Sequence, residues 1–302
     1  MTTVAILGCG YVGLALGERL LTAETVDRVV GVRRSDSGVD AMEAAGIDPI
    51  QGDITTEKTL SALPDVEAVV FAASVGRSSE TTSRELYVEG QKSVLDHLRD
   101  RETPPERYIY TSSTGVYGDH SGDWVDEATP IDPETERQQT LADAEAVARE
   151  RADDIATTVV RFAGLYGPDR YRLERYLDGP VTEGILNLTH REDAAGALAF
   201  VLGEEVARNE VLLAVDDEPV SKWELADWLA ESCGESVPPK QTKAERLADE
   251  SLSTGARQRI EADKRCQNEK LRSLGYDLQY PTFREGYQAA VDAYTATDKQ
   301  DK

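Results

Sequence analysis

The chain has 302 residues and a formal net charge of −24, with 57 acidic against 33 basic side chains. That balance excludes the cationic surface that nucleic-acid binding needs, and no run approaches the roughly 18 consecutive apolar residues of a membrane span. The three cysteines, Cys9, Cys233 and Cys266, are scattered and odd in number, so neither a disulfide framework nor a metal site is expected.

The acids are spread along the whole chain, and no lysine stands between Lys92 and Lys222. A dispersed acidic surface stays hydrated in concentrated salt, where screening removes self-repulsion, so the expected setting is a halophilic cytoplasm. An ordinary acidic protein is the alternative. The N-terminus enters a strand pattern at once, without the basic head and apolar stretch of a signal peptide.

Val4-Ala5-Ile6-Leu7 reads as a strand, and Gly8-Cys9-Gly10-Tyr11-Val12-Gly13 as a sharp turn into a helix carrying Leu14, Leu16, Leu20 and Leu21. Gly8 permits the tight turn, Gly10 lets a pyrophosphate approach the backbone, and Gly13 lets the helix pack close to the sheet. The helix N-terminus, with Tyr11 and Val12, offers unpaired N–H groups to the phosphates. The cofactor implied is a dinucleotide.

Further candidate strands are Val29–Val32, Ala68–Ala73, Tyr108–Ser112 and Thr157–Arg161, with helical patterns at Val12–Leu21, Arg84–Arg99 and Arg137–Arg149. This alternation predicts an α/β fold with a doubly wound parallel sheet, its ligands beyond the carboxyl ends of the strands. Arg33 and Arg34 follow the second strand, where an acid would favour NAD. Arginine pairs with a 2′-phosphate instead, so NADP is expected ahead of NAD. Asp53 could accept from the adenine amino group or simply hold a turn. Ala72 and Ala73 are small enough for the cofactor to lie against the strand end, or are plain core packing.

Past Gly167-Pro168 the pattern loosens into short strands (Ile185–Leu188, Val211–Val215) and helices (Ala194–Leu202, Lys222–Ser232). Pro238–Glu261 is very polar and reads as an exposed helix or a mobile segment. The expected division is a dinucleotide-binding domain over 1–165 and a smaller C-terminal α/β substrate domain over 166–302. Segments around 185–216 are expected to return to the first domain. Arg170, Arg172 and Arg175, with Tyr171 and Tyr176, form a basic, aromatic island suited either to substrate phosphates or to salt bridges on a solvated helix.

Tyr110-Thr111-Ser112-Ser113-Thr114-Gly115-Val116-Tyr117-Gly118 resembles the extended short-chain dehydrogenase/reductases, which include nucleotide-sugar epimerases and dehydratases. The resemblance continues through Arg161 to Tyr166-Gly167-Pro168, through Asn187-Leu188-Thr189-His190-Arg191-Glu192-Asp193, and through Lys264-Arg265-Cys266-Gln267-Asn268. It implies a Rossmann domain with a small C-terminal domain, NAD(P) as cofactor, and the Arg170–Tyr176 segment facing the substrate. A homodimer through helices on the sheet faces would be usual.

One departure stands out. The family's Tyr-x-x-x-Lys pair, in which the ammonium lowers the tyrosine pKa, is missing. Aligned by Glu145, Arg137 takes the tyrosine position and Leu141 the lysine position, and no tyrosine in the chain has a lysine four residues later. Arg137 keeps its protons and could only orient a carbonyl, carboxylate or phosphate. Ser113 matches the family's catalytic serine, and Tyr117 is the nearest remaining hydroxyl, as a proton donor or as wall packing. His120 reads as exposed and His190 as shaping the site. The expected function is an NAD(P)-binding oxidoreductase or nucleotide-sugar epimerase/dehydratase-like enzyme, acting on a nucleotide sugar or small carbonyl compound. The alternative is a catalytically inactive, dinucleotide-binding regulatory or redox-sensing protein.

Overall fold

In the computed structural model, residues 2–24, 26–76, 81–152 and 154–298 are described. Seven strands form the central sheet: β1 (Thr3–Leu7), β2 (Arg28–Arg33), β3 (Asp48–Gln51), β4 (Ala68–Phe71), β5 (Arg107–Ser113), β6 (Ala156–Phe162) and β7 (Glu210–Ala214). Their order is β7-β6-β5-β4-β1-β2-β3, and every pairing is parallel. The chain winds outward from β1 in both directions, so the crevice between β1 and β4 is the topological switch point.

Alternation along the strands supplies two cores. Val4 and Ile6 face a layer made by α1 (Tyr11–Thr22), Met42 of α2 (Asp36–Ala44) and α5 (Arg191–Gly203). Ala5 and Leu7 face the opposite layer, made by α3 (Gln91–Arg99) and α4 (Glu136–Glu150). A third apolar cluster joins Tyr166, Leu173 and Leu188 to α6 (Lys222–Cys233) and α7 (Phe283–Asp298), away from the sheet. The predicted doubly wound α/β fold is therefore the observed one.

Several elements differ locally from the sequence expectation. β3 was not expected: it is short, polar at both ends and carries Pro49, which an edge strand tolerates because its outer N–H groups pair with nothing. β4 ends at Phe71, leaving Ala72 and Ala73 in the loop that follows. The expected helix over 84–99 begins as a π-helical turn, Glu85–Gly90, before α3. The expected strand Ile185–Leu188 is two strands. Ile185–Leu186 pairs with Val220–Ser221 and Leu188–His190 with Gly164–Tyr166. Asn187 separates them, donating to the Lys264 carbonyl at 3.0 Å and accepting from the Cys266 N–H at 2.6 Å. The polar stretch 238–261 contains a two-residue strand, Lys240–Gln241, and two short helices that bury no residue. Among the described residues no helix is long and apolar enough to cross a membrane.

Just beyond β7, Asp216 is 3% exposed, and neither carboxylate oxygen has a hydrogen-bond partner among the described residues. Burial drives its pKa well above the carboxylate range, helped by the charges of Asp217, Glu218 and Asp193. A raised pKa means the folded state holds the proton more tightly. The penalty is therefore absent below the unfolded pKa, grows as pH rises toward the folded value and is full above it. Asp216→Asn should raise unfolding stability by about 1–3 kcal/mol at pH 7. The gain should fade toward pH 4, as denaturant melts at both pH values would show.

Candidate functional site

The β1–α1 turn is shaped by its glycines, each for a different reason. Gly8 has φ +86°, and a Cβ there would run into the Ala73 backbone after β4. A Cβ at Gly10 would meet only the Gly8 carbonyl oxygen, 3.7 Å away, so that side of the turn is open. A Cβ at Gly13 would stand 2.9 Å from Ile6 Cγ2, which ties Gly13 to helix–sheet packing rather than to a ligand. No side chain caps α1, and its first turn carries no acid. Its N–H groups and partial positive charge thus face an open crevice, as a pyrophosphate requires.

Two cavities meet at this turn, and both are lined by Gly8, Gly10, Ala73 and Ser74. The first, about 300 Å³, reaches Arg33, Arg34, Ser35 and Asp53 at the ends of β2 and β3. Ser35 caps α2 by accepting from the Gly38 N–H at 3.2 Å. Arg33 folds against that helix start, where a Cβ on Gly38 would come within 2.7 Å of its Nε. Asp53 holds a turn, as one of its two readings expects, and stands at the cavity wall. Its Oδ1 accepts from the Thr55 N–H and hydroxyl at 2.9 and 2.7 Å, Arg34 lies 3.8 Å from its Oδ2, and it also lines the cavity.

The second cavity, about 690 Å³, runs past Tyr11, Val12 and Ala72 to Ser113, Arg137, Leu141 and Arg170. Ser113 ends β5, and its Oγ accepts from the Gly115 N–H at 3.1 Å. Arg137 and Leu141 are set by the start of α4, which a capping box holds. Thr135 Oγ1 accepts from the Gln138 N–H at 3.2 Å, and Gln138 Oε1 accepts from the Thr135 N–H at 2.8 Å. Tyr11 donates to the Pro168 carbonyl at 2.9 Å, and the Arg170 guanidinium carbon lies 3.9 Å from its ring centroid. Burial pushes the Tyr11 hydroxyl up to about 12 and that of Tyr110, which also lines the cavity, further still. Neither phenol is tuned toward neutral pH.

Four residues that the sequence singles out lie elsewhere. Tyr117 does not line the cavity. It donates to the Asp126 carbonyl at 2.6 Å and accepts from Arg161 Nη1 at 2.5 Å, and burial raises its pKa. Its hydroxyl is committed to a buried network, so the packing alternative describes it. Arg172 and Arg175 are exposed and stand outside the cavity that Arg170 lines. His190 caps α5, accepting from the Glu192 N–H through Nδ1 at 3.3 Å, and burial pulls its pKa down to about 4. Its ring centroid lies 3.8 Å from that of Tyr280, in keeping with a shaping role.

Sequence reasoning missed the support beneath the site. Glu145 accepts from Ser112 Oγ at 2.6 Å and from Arg161 Nε and Nη2 at 2.9 and 2.6 Å, so α4 is tied to both β5 and β6. The available signal was an arginine inside the apolar run Val159-Val160-Arg161-Phe162, which must find a counter-charge if that strand is central. Arg84, Tyr87, Glu136 and Thr140 also line the cavity unforeseen. Among the described residues no cluster of His, Cys, Asp and Glu could hold a metal ion.

Comparison with known proteins gives concordant results. The profile of the NAD dependent epimerase/dehydratase family matches residues 4–208. Protein YeeZ of Escherichia coli K12 is 29% identical over 289 residues, which are 93% of this chain and 97% of that protein. A conserved protein of unknown function from Silicibacter pomeroyi DSS superposes with a TM-score of 0.76 at 25% identity, over 98% of this chain and 99% of the other. DesIV, a dTDP-glucose 4,6-dehydratase from Streptomyces venezuelae with NAD and TYD bound, shares the fold. Its TM-score is 0.77 at 20% identity, covering 99% of this chain and 98% of that one.

Proposed function

Because the chain belongs to the NAD dependent epimerase/dehydratase family, we propose that it is an NAD(P)-dependent enzyme. Its substrate would be a small carbonyl compound or nucleotide sugar, held at the Ser113–Arg137 end of the larger cavity. The observation that carries this reading is that the two cavities share Gly8, Gly10, Ala73 and Ser74 as a common wall at the β1–α1 turn. One pocket suits an adenosine and the other a nicotinamide with a substrate beside it. A bound nicotinamide supplies the hydride donor or acceptor. Ser113 donates to the substrate oxygen, Arg137 orients it, and Arg170 adds positive charge at the wall. Residues 1–165 with the returning strand β7 hold the dinucleotide, and the rest of 166–302 closes over the substrate.

Arg33 faces the adenosine pocket without a carboxylate partner among the described residues, which supports NADP ahead of NAD. Arg33→Asp should weaken NADPH binding at least tenfold while leaving NADH nearly unchanged, measured by nucleotide fluorescence. An unaltered NADPH affinity would remove Arg33 from the 2′-phosphate.

A second reading, a dinucleotide-binding regulator without turnover, is favoured by Arg137, Leu141 and the committed Tyr117. Titration with NADPH and NADH at high salt, followed by a turnover screen over NDP-sugars and small carbonyl compounds, separates the two. Binding with no turnover selects the regulator, and absence of binding rejects both.

A further inference from the structure

Three side chains converge over Gly115. From the point its Cβ would occupy, Ser113 Oγ is 3.2 Å away, Leu141 Cδ1 3.4 Å and Arg137 Nη2 3.8 Å. That point is a bond length from the Gly115 Cα and holds no ligand atom, but the three distances make the side chains close neighbours, and Ser113, Arg137 and Leu141 all line the larger cavity. The Ser113 oxygen accepts the Gly115 N–H with one of its lone pairs, and its O–H remains to be donated. Among the described residues that proton has no acceptor and Arg137 has no carboxylate partner. Two donors thus face one space with nothing to receive them.

The charge around them is unusual for this chain. Arg84, Arg137 and Arg170 line the cavity against Glu136 alone, although acids outnumber bases 57 to 33 overall. Arg84 is neutralised by Asp143 at 2.6 Å, and Arg170 lies over the Tyr11 ring, which leaves Arg137 as the cation beside the serine. Leu141 adds apolar surface beside the pair, and Arg137 itself is exposed to solvent.

We propose, building on the dinucleotide reading above, that Ser113 and Arg137 form a carboxylate subsite at the wall of the larger cavity and that the substrate is a small organic acid. A guanidinium presents its N–H groups in a plane that matches the two oxygens of a carboxylate, and the serine O–H reaches one of the lone pairs left over. The third oxygen and second charge of a phosphate find no further donor in this trio.

The test is calorimetric titration of the dinucleotide-loaded protein, at fixed ionic strength, with oxamate, with its uncharged isostere oxamide and with inorganic phosphate. Oxamate should bind at least tenfold more tightly than oxamide. Arg137→Met should lose at least tenfold in oxamate affinity, Arg137→Lys should recover part of it, and Gly115→Ala, whose Cβ would crowd Ser113 Oγ at 3.2 Å, should lose at least fivefold. Equal affinity for oxamate and oxamide, unchanged oxamate affinity in Arg137→Met, or tighter binding of phosphate than of oxamate would each overturn the carboxylate subsite. Nucleotide fluorescence on the same samples reports dinucleotide binding separately. Its failure in the unmodified protein would reject the dinucleotide reading, whatever oxamate does.

Discussion

Glu145→Gln should destabilise the protein by about 3–5 kcal/mol, because it strands a buried cation. Arg161 and Glu145 are 3% and 5% exposed, and their contact at 2.6 Å is one of two between them. Burial lowers the tendency of Arg161 to stay charged, but the hydrogen bonds and charge of Glu145 outweigh it and raise its pKa overall. Glutamine keeps the shape but removes the counter-charge and sets an amide donor against a guanidinium. The Ser112 hydroxyl would lose its anionic acceptor as well. Denaturant unfolding measures the cost. Glu145→Met combined with Arg161→Met should recover most of it, since an apolar pair of similar volume leaves no unpaired charge. A cost below about 1 kcal/mol for the single variant would show that the pair is not the tie between α4 and the sheet.

Gly8→Ala should abolish dinucleotide binding, with affinity falling by roughly a hundredfold or more, and should cost about 2–4 kcal/mol of stability. Two effects add. The residue has φ +86°, where a side chain is strained, and the new methyl would collide with the Ala73 backbone. Backbone cannot yield as a flexible side chain does, so the β1–α1 turn and the end of β4 must separate where the phosphates would lie. Gly10→Ala is the informative contrast. Its Cβ meets only the Gly8 carbonyl at 3.7 Å, so the fold should be unaffected while binding weakens through intrusion into the phosphate space. Melting curves and NADH and NADPH titrations on both variants separate the structural glycine from the ligand-facing one. If Gly8→Ala bound either nucleotide normally, the turn would not be the pyrophosphate site.

Much of the frame was legible along the chain. The apolar runs of β1, β2, β4, β5 and β6 are buried on both faces and flanked by glycine or polar breaks, so periodicity and punctuation place them. β3 escaped because an edge strand needs neither continuous apolarity nor freedom from proline, and Pro49 reads locally as a break. Ile185–Leu188 was read as one strand because nothing in those four residues reveals that Asn187 is bound to Lys264 and Cys266, some eighty positions on.

By itself the sequence determined the parallel sheet, the glycine turn at its switch point and the absence of a Tyr-x-x-x-Lys pair. These follow from backbone preferences and side-chain periods, which neighbouring residues impose. The tertiary structure alone decided that the Tyr117 hydroxyl is spent on Arg161 and Asp126 and that Arg170 lines the cavity while Arg172 and Arg175 do not. It alone placed Ser113, Arg137 and Leu141 side by side at the wall of the larger cavity. The direction of a side chain is set by what packs against it. For Tyr117 that is a strand 44 residues away and for Arg137 a helix start fixed by its cap and by the Glu145–Arg161 tie. Local sequence carries no record of either.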